Sequence, residues 1–351
     1  MIRKFLRIFL VLITCNMSMA QVPLDTVVID WSTPNLTKIE SDSTTITTTD
    51  WLMRATSGQL QLGSPGSLST FLVHGLGARH LPVLWHGLNI QSSLNGVLDF
   101  NLVPSIVGSV FTHDRSNPQG IVGALTIDEK TGIQGSTIWI NASSLQNIGL
   151  GINSLLKDKK WTNLIIADIG YDRNIFSYKL SDRKYWRFST DFLKMNLRYI
   201  GMVPINSRQN LEMGFWQQYS DRKILPSVSS SPIDQNQLDA NTRLFLKWTK
   251  IENKYRLEVS SGYMHEILNF TTPTVDSRAN VDIFQAKISM DVCGFFPIQS
   301  YLSHRMELAH PNFFSSLKNR QLTQLGGIKT WYLKPRWSLC FMDDKIFWTI
   351  K

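Results

Sequence analysis

Three histidines at a regular spacing, His74, His80 and His86, form the pattern in this sequence that most suggests metal binding. We predict strands over residues 68–73 and 81–85 and pair them as a hairpin, which puts His80 at the turn and the other two on facing strands. Two imidazoles are fewer than the three or four ligands of a zinc site. The pattern therefore favours histidines that form hydrogen bonds, and we predict no metal and no cofactor.

The sequence contains none of the motifs that would indicate an enzyme. No serine lies in a nucleophile elbow, and neither an HExxH motif nor a pair of facing carboxylates occurs. Asp343 and Asp344 are adjacent, so on a strand their carboxylates point to opposite faces. Cys293 and Cys340 have no CxxC spacing, and either one disulfide or two packed thiols fits them. We predict a protein that is not an enzyme.

The first twenty residues are predicted to be a signal peptide for export. They contain its three parts, a basic start, a short apolar stretch and small residues before the cleavage point: Arg3, Lys4 and Arg7, residues 8–14, and residues 18–20. Lipidation of Cys15 is the alternative, although Ile13 and Thr14 fit that signal poorly. The net charge of +9 comes without a lysine- and arginine-rich run with interleaved aromatic residues, so nucleic acid is not a predicted partner.

Two polar loops of the predicted hairpin are candidates for ligand contact. Loops 63–67 and 91–96 fall at the same end of the hairpin, opposite the turn at residues 78–80. Flexible polar loops that share one tip form a surface to which a small molecule could bind. The predicted ligand-binding residues are Ser64, Ser67, Gln91, Ser92 and Asn95.

After about Asp128 the sequence changes to repeated strands. Phe284, Ile288 and Met290, for example, alternate with polar residues, a period of two that indicates β-strands with one apolar face. Aromatic residues recur near strand ends, as they do at the two surfaces of a bilayer. Soluble β-sandwiches alternate in the same way, so the period alone does not separate them from a membrane barrel. No apolar run long enough for a transmembrane helix follows the signal.

Residues 49–127 carry four short motifs whose spacing agrees with that of one known family. They are His74-Gly75, His86-Gly87, Pro104, and the Gly-Ile-Val-Gly strand within residues 120–127. At these positions the segment resembles the plug domain of TonB-dependent outer-membrane receptors, which has Arg-Gly, Asp-Gly, a proline and a closing Gly-x-x-Gly strand. Both charged residues are histidine here, and residues 114–119 replace a segment of glycine and small residues. The resemblance therefore does not extend to the family's plug–barrel salt bridges.

The resemblance implies an α+β plug domain followed by antiparallel transmembrane β-barrel strands, surrounded by lipid of the cell outer membrane. Such a receptor binds a scarce small-molecule ligand, such as a siderophore, cobalamin or another nutrient. It admits the ligand when a TonB-like periplasmic energy transducer pulls on a coupling box, and strand addition supplies backbone hydrogen bonds that can bear this pull. In this sequence the residues similar to that coupling box are Asp25, Thr26, Val27, Val28 and Ile29. The predicted segments are signal peptide 1–20, coupling box and linker 21–48, plug domain 49–127 and barrel strands 128–351.

The length of residues 128–351 conflicts with a complete barrel of this family. Twenty-two strands of 9–11 residues would need roughly 220 residues before any loop, so about ten strands are expected. A barrel that small is filled by its own side chains and cannot enclose a plug. We therefore expect a shortened receptor, produced by an interrupted reading frame or completed by a second chain. The alternative is a small outer-membrane barrel that does not transport, or a periplasmic β-sandwich that acts as a binding module.

Overall fold

The computed structural model describes most of one structural unit, Leu36–Lys351. The described residues are 36–40, 48, 59–62, 66–73, 75–103, 109–114, 117, 119–120, 123–129, 135–158, 160–180, 183–186, 189–224, 235–292, 298–311, 320–329, 336–342 and 345–350. Several sequence predictions lie outside the described residues: the signal peptide, the run at 25–29, Ser64, His74, Pro104, Cys293, and Asp343 with Asp344.

The first part of the described chain folds into a small domain with a mixed sheet. Its strands and 3-10 helices are β1 Leu36–Glu40, β2 Gln59–Leu62, β3 Ser69–Leu72, the helix Ala78–His80, β4 Val83–Trp85, β5 Leu88–Asn89, the helix Phe100–Leu102, β6 Ser109–Asp114 and β7 Ala124–Glu129. Five strands form one sheet in the order β1-β6-β7-β4-β5, in which β4 and β7 are parallel. Strands β2 and β3 form a separate antiparallel pair.

The small domain extends beyond residues 49–127 at both ends. Strand β1 lies in the segment predicted as linker, and it pairs with β6 from Leu36↔Asp114 to Glu40↔Val110. Strand β7 continues to Glu129 and still pairs with β6 there. The edge strand of the domain therefore directly follows the part of the chain that contains the predicted coupling box.

The predicted hairpin between residues 68–73 and 81–85 is wrong. Strand β3 pairs with β2, and β4 pairs with β5 and with β7. The chain reverses immediately after β4 because His86 and Gly87 adopt positive φ angles of 48° and 88°, as the tight turns of two-residue hairpins require. Short apolar runs of this kind carry no information about which partner completes their hydrogen bonds.

The core of the small domain comes from inward-facing apolar residues of β4, β6 and β7. Val83, Trp85, Phe111, Leu125 and Ile127 are each at most 2 % exposed. Two of these strands, β6 and β7, follow the period-two pattern, which brings alternate side chains to one face of the sheet. The same face is covered by apolar residues of the second part of the chain, so one core joins the two parts.

The second part of the chain forms a large antiparallel sheet, which contains twelve strands among the described residues. They are β8 Gly135–Ala142, β9 Asn147–Lys157, β10 Thr162–Asp172, β13 Phe192–Asn206, β14 Gln209–Lys223, β15 Asn236–Ile251, β16 Tyr255–Thr271, β17 Asp276–Val292, β18 Ile298–Pro311, β19 Arg320–Lys329, β20 Arg336–Met342 and β21 Lys345–Ile350. Neighbours in sequence are neighbours in the sheet, except that a hairpin, β11 Ser177–Leu180 and β12 Arg183–Trp186, stands apart between β10 and β13.

The prediction of about ten strands was too low. Several connections on one side of the sheet are tight, since residues 207–208 join β13 to β14 and residues 252–254 join β15 to β16. Strands at the end of the chain are also short, with seven residues in β20 and six in β21. Short turns and short strands leave room for two more strands than the estimate allowed.

The two faces of the large sheet differ in polarity. In β17, Phe284, Ile288 and Met290 are 43 %, 49 % and 41 % exposed, whereas Ile283 and Gln285 face the small domain and are 0 % and 9 % exposed. The alternation predicted from sequence is present, with the apolar side chains on the outer face. The described residues include no helix that is long and apolar enough to cross a membrane.

Candidate functional site

The small domain lies against the inner face of the large sheet, and three clusters of buried polar residues join them. The Glu129 cluster contains His86, Glu129, Arg198 and Glu212; the Arg222 cluster contains Asp99, Arg222 and Asp239; the Arg305 cluster contains residues 89–93 with Glu266, Gln285 and Arg305. Each cluster pairs groups of the small domain with side chains of the sheet. The interface therefore depends on charge as well as on apolar packing.

Glu129 is the central anion of its cluster. Its Oε2 lies 2.5 Å from His86 Nε2, and its Oε1 accepts hydrogen bonds from Arg198 Nη1 at 2.7 Å and from Trp85 Nε1 at 3.0 Å. The side chains of Glu129 and Arg198 are 0 % and 1 % exposed. A buried carboxylate with several donors is stabilised only while those donors remain in place.

His86 connects this cluster to the wall, which is the large sheet against which the small domain packs. The turn after β4 directs its ring between two carboxylates, so that Nδ1 lies 3.2 Å from Glu212 Oε2 while Nε2 contacts Glu129. The ring also stacks on Phe245 with centroids 4.3 Å apart. Phe245 lies on β15 and faces inward, where its ring centre is also 4.8 Å from that of Trp85.

Burial and charge act in opposite directions on His86 and Glu129, the two titratable groups that the small domain contributes to this cluster. Burial alone would lower the pKa of His86, but Glu129 and Glu212 raise the pKa to about 9. Burial would raise the pKa of Glu129, but His86 and Arg198 lower the pKa to about 2. Both groups are therefore charged near neutral pH, and the pair contributes to the attachment of the small domain.

We expect the attachment of the small domain to weaken between pH 6.5 and about 9. The pKa of His86 is raised in the folded state, so its contribution is complete below the unfolded value of 6.5 and is lost as the pH rises to about 9. The loss should approach about 3 kcal/mol. Urea-dependent protease resistance of the small domain, measured at pH 6, 7.5 and 9, tests this expectation.

A variant isolates the contribution of the histidine. His86→Gln keeps a hydrogen-bonding side chain but cannot carry charge, so its protease resistance should change little across this range. An equal pH dependence in the variant would contradict the role given to His86. Glu129, the carboxylate paired with His86, affects stability at low pH instead. Its pKa is lowered, so its contribution to stability is lost only as the pH falls from 4.5 towards 2.

The Arg222 cluster joins β14 and β15 to the second 3-10 helix of the small domain. Arg222 donates from Nη1 to Asp99 Oδ2 at 2.7 Å and from Nη2 to Asp239 Oδ2 at 3.2 Å. Asp99 also caps the helix, since its Oδ1 accepts from the amides of Ser69 and Asn101, both at 3.0 Å. One carboxylate thus holds two segments of the small domain and the wall.

The Arg305 cluster holds the loop that follows β5. Arg305 donates to the carbonyl oxygens of Asn89 and Gln91 at 3.0 and 3.2 Å, and to Ser93 Oγ at 2.8 Å. Gln285 exchanges two hydrogen bonds with the backbone of Asn89. A cavity of about 60 Å³ remains beside these contacts, lined in part by Lys287.

The residues predicted to contact a ligand are divided between two of these clusters. Ser67 lies near the Arg222 cluster, where its carbonyl accepts from Asn101 Nδ2 at 2.8 Å. Ser92 donates to Glu266 Oε2 at 3.1 Å, and the Gln91 amide donates to carbonyl oxygens of Ala78 and Leu81. Asn95 donates its backbone amide to Ser92 Oγ at 3.2 Å. The ligand role stays a prediction, and the hairpin that grouped these residues is wrong.

The histidines are also separated. His80 ends an exposed 3-10 helix, whereas His86 is buried in the Glu129 cluster. Within the described ranges, no group of three or more His, Cys, Asp or Glu side chains could hold a metal ion. His86 forms hydrogen bonds, as the sequence favoured. It also supplies a contact between the small domain and the wall, although the sequence put the family's plug–barrel salt bridges in doubt.

Sequence reasoning did not single out the charged residues that matter most here, Glu129, Arg198 and Arg222. Each occupies a polar position in an alternating strand, where a charge is usually solvated. One signal in the sequence could have found them. Arginines at inward positions of adjacent strands need carboxylates as partners, and the small domain that faces them contains carboxylates.

A mixed domain bound to the inner face of an antiparallel sheet whose outer face is apolar is the arrangement found in plugged outer-membrane β-barrels. Comparison with solved structures agrees. The chain is similar to the copper transporter OprC (TM-score 0.63, 10 % identity, 87 % of this chain and 56 % of that chain). It is similar to the FrpB iron transporter from Neisseria meningitidis, F3-3 variant (TM-score 0.65, 10 % identity, 90 % and 60 %).

A third similar structure is the ferric citrate transporter FecA in its unliganded form (TM-score 0.51, 11 % identity, 87 % of this chain and 62 % of that chain). No family model and no curated protein matches the sequence. The fold is that of TonB-dependent outer-membrane transporters, which confirms the predicted resemblance. The chain spans between 56 % and 62 % of the length of these three solved chains.

Proposed function

We propose that this chain is a TonB-dependent outer-membrane receptor for the energy-coupled uptake of a scarce ligand. The observation that carries the proposal is the small domain, held by buried ion pairs on the inner face of a sheet whose outer face is apolar. Ile138 and Ile140 of β8 are 69 % and 74 % exposed, which is costly in water but favourable in lipid. The similar structures transport copper, iron and ferric citrate, and the ligand proposed here is a siderophore, cobalamin or another nutrient.

The coupling step of this proposal acts through β1. The predicted coupling box at residues 25–29 precedes β1 in the chain, so a pull by a TonB-like periplasmic transducer reaches this edge strand first. Strand β1 has one neighbour in the sheet, β6, with five residue pairs. Removing an edge strand breaks one ladder of hydrogen bonds and leaves the other strands paired. The pull would then act on the buried clusters that hold the rest of the small domain.

Ligand binding by Ser64, Ser67, Gln91, Ser92 and Asn95 belongs to the same proposal. A ligand that contacts Ser92 competes with Glu266 for its hydroxyl group, which lies 3.1 Å from that carboxylate. Binding would therefore loosen one contact between the small domain and the wall. This exchange offers a physical route by which an occupied receptor differs from an empty one.

The sheet itself requires neighbours for its two end strands, β8 and β21. Unpaired backbone groups are costly in hydrocarbon, so strands in a bilayer form closed sheets. We include in the proposal further strands that close the sheet, whether they belong to the same polypeptide or to a second chain.

Cysteine cross-linking tests the proposed function in cells. With Cys293 and Cys340 replaced by serine, Val27→Cys should form a disulfide with a cysteine-substituted periplasmic transducer, and Ser32→Cys, outside the box, should not. The full chain should also fractionate with the outer membrane. Recovery in the soluble periplasm would contradict the proposal and favour a β-sandwich, and outer-membrane protein without the Val27 cross-link would favour a barrel that does not transport.

A further inference from the structure

A row of polar side chains crosses the outer face of the large sheet. Gln217, Thr242, His265 and Asp282 are paired in register across β14, β15, β16 and β17. They bond in two pairs, with Thr242 Oγ1 2.6 Å from Gln217 Oε1 and His265 Nδ1 2.7 Å from Asp282 Oδ1. The hydroxyl of Tyr263 donates to the same Asp282 oxygen at 2.7 Å. We call these four residues the polar row.

The surface on one side of the polar row is apolar. Towards the tight turns, outward side chains of β15–β17 include Leu244, Leu246, Val259 and Ile288, which are 37–49 % exposed. Ser261 is a polar exception on β16, and His304 is another on β18. A band of exposed apolar side chains on a sheet face indicates contact with hydrocarbon.

A second boundary lies near the tight turns. Trp248 donates from Nε1 to Gln209 Oε1 at 3.3 Å, and Lys250 Nζ lies 5.7 Å from the ring centre of Tyr255. Trp, Tyr and Lys are the residues that anchor proteins at the surface of a bilayer, because each has an apolar body and a polar end. The apolar band therefore ends in interfacial residues on this side also.

The distance between the two boundaries matches a bilayer. His265 is ten positions after Tyr255 on β16, which is roughly 34 Å along the strand at the usual rise. At the strand tilt of membrane barrels this becomes about 26 Å along the bilayer normal, close to the usual apolar height of about 25 Å. Beyond the row the strands end in exposed charged side chains, such as Arg278 and Asp276.

We propose that the headgroup boundary of the membrane crosses β16 and β17 at His265 and Asp282, which are paired on adjacent strands, and that the hydrocarbon lies between these two residues and the level of Tyr255. The partner of this surface is a lipid bilayer, and the inference rests on the proposed membrane location. A carboxylate such as Asp282 is costly at the centre of a bilayer but tolerated at its surface. The last residues of β14 and β16, together with the Arg222 cluster, then lie outside the hydrocarbon.

Spin labels on β16 test the boundary. The full chain, without its own cysteines, is placed in vesicles of phosphatidylcholine and phosphatidylglycerol, with single labels at Ser261→Cys, His265→Cys and Asn269→Cys. Collisions with oxygen should exceed those with a water-soluble nickel complex at Ser261, although serine is polar. The preference should reverse at Asn269, with the crossover at His265. Ser260→Cys, which faces inward and is 6 % exposed, is the matched control and should react weakly with both reagents.

The possible outcomes separate the two proposals. If the protein floats with the vesicles but Asn269 prefers oxygen, or Ser261 prefers nickel, the boundary is wrong while the membrane location stands. If the protein does not float and all outward labels prefer nickel, both the boundary and the proposed function are wrong. A second label pair on β17, at Ala286 and Arg278, must give the same order of preferences as Ser261 and Asn269 if the inference is correct.

Discussion

Replacing Glu129 by glutamine is expected to detach the small domain from the wall, at a cost of about 3–5 kcal/mol. The variant would leave Arg198 buried without the carboxylate that it contacts and would remove the nearer of the two carboxylates on His86, and these side chains are 1 % and 5 % exposed. Hydrogen exchange measured in outer-membrane vesicles should show faster exchange in β4 and β7, with little change in the strands of the large sheet far from the contact.

Glu212→Gln is the matched control for this prediction. Glu212 contacts His86 from the wall at 3.2 Å and its side chain is 13 % exposed, so its loss should cost about 1 kcal/mol. Replacing the charges together, as Glu129→Leu with Arg198→Met, should recover much of the stability because the guanidinium is removed with its partner, while His86 keeps its contact with Glu212. Equal effects of the two single variants would show that Glu129 is not the central anion.

Replacing Asp99 by alanine should have the second largest effect, about 3 kcal/mol. The change removes the ion pair with Arg222 at 2.7 Å and the acceptor of the Ser69 and Asn101 amides. Both amides should therefore exchange faster with solvent, and the first cleavage by protease should move to lower urea concentration.

Asp99→Asn separates the two roles of this residue. Its amide oxygen can still accept from the two backbone amides, while the charge opposite Arg222 is lost. We expect slow exchange at Ser69 and Asn101 in this variant, together with a weaker contact to the wall. If the alanine and asparagine variants gave the same exchange rates, the capping role of Asp99 would be wrong.

The large sheet was predictable because its alternation has a physical cause. One face is apolar and the other contacts the small domain, so a period of two runs along the long strands. Residues such as Phe284 and Ile288 carry this pattern in the sequence. Strand number was less accessible, because two-residue and three-residue turns such as 207–208 leave little trace in composition.

The topology of the small domain and the buried clusters were not predictable in the same way. Strands β3 and β4 are short apolar runs, and their partners are chosen by contacts distant in sequence, such as Val83↔Leu125. The charge pair of Glu129 and Arg198 spans 69 residues. Alternation shows that such residues share a face, but it does not show which charge lies opposite them.

Cross-linking within the intact outer membrane tests most directly whether the small domain lies on the inner face of the sheet. With the two native cysteines outside the predicted signal peptide replaced by serine, Asn89→Cys should couple efficiently to Gln285→Cys through a short bis-maleimide, because the Asn89 backbone and the Gln285 side chain lie 2.7 Å apart. Asn89→Cys should not couple to Ile288→Cys, which lies on the outer face. Equal coupling of both pairs, or coupling of neither in folded protein, would contradict the account.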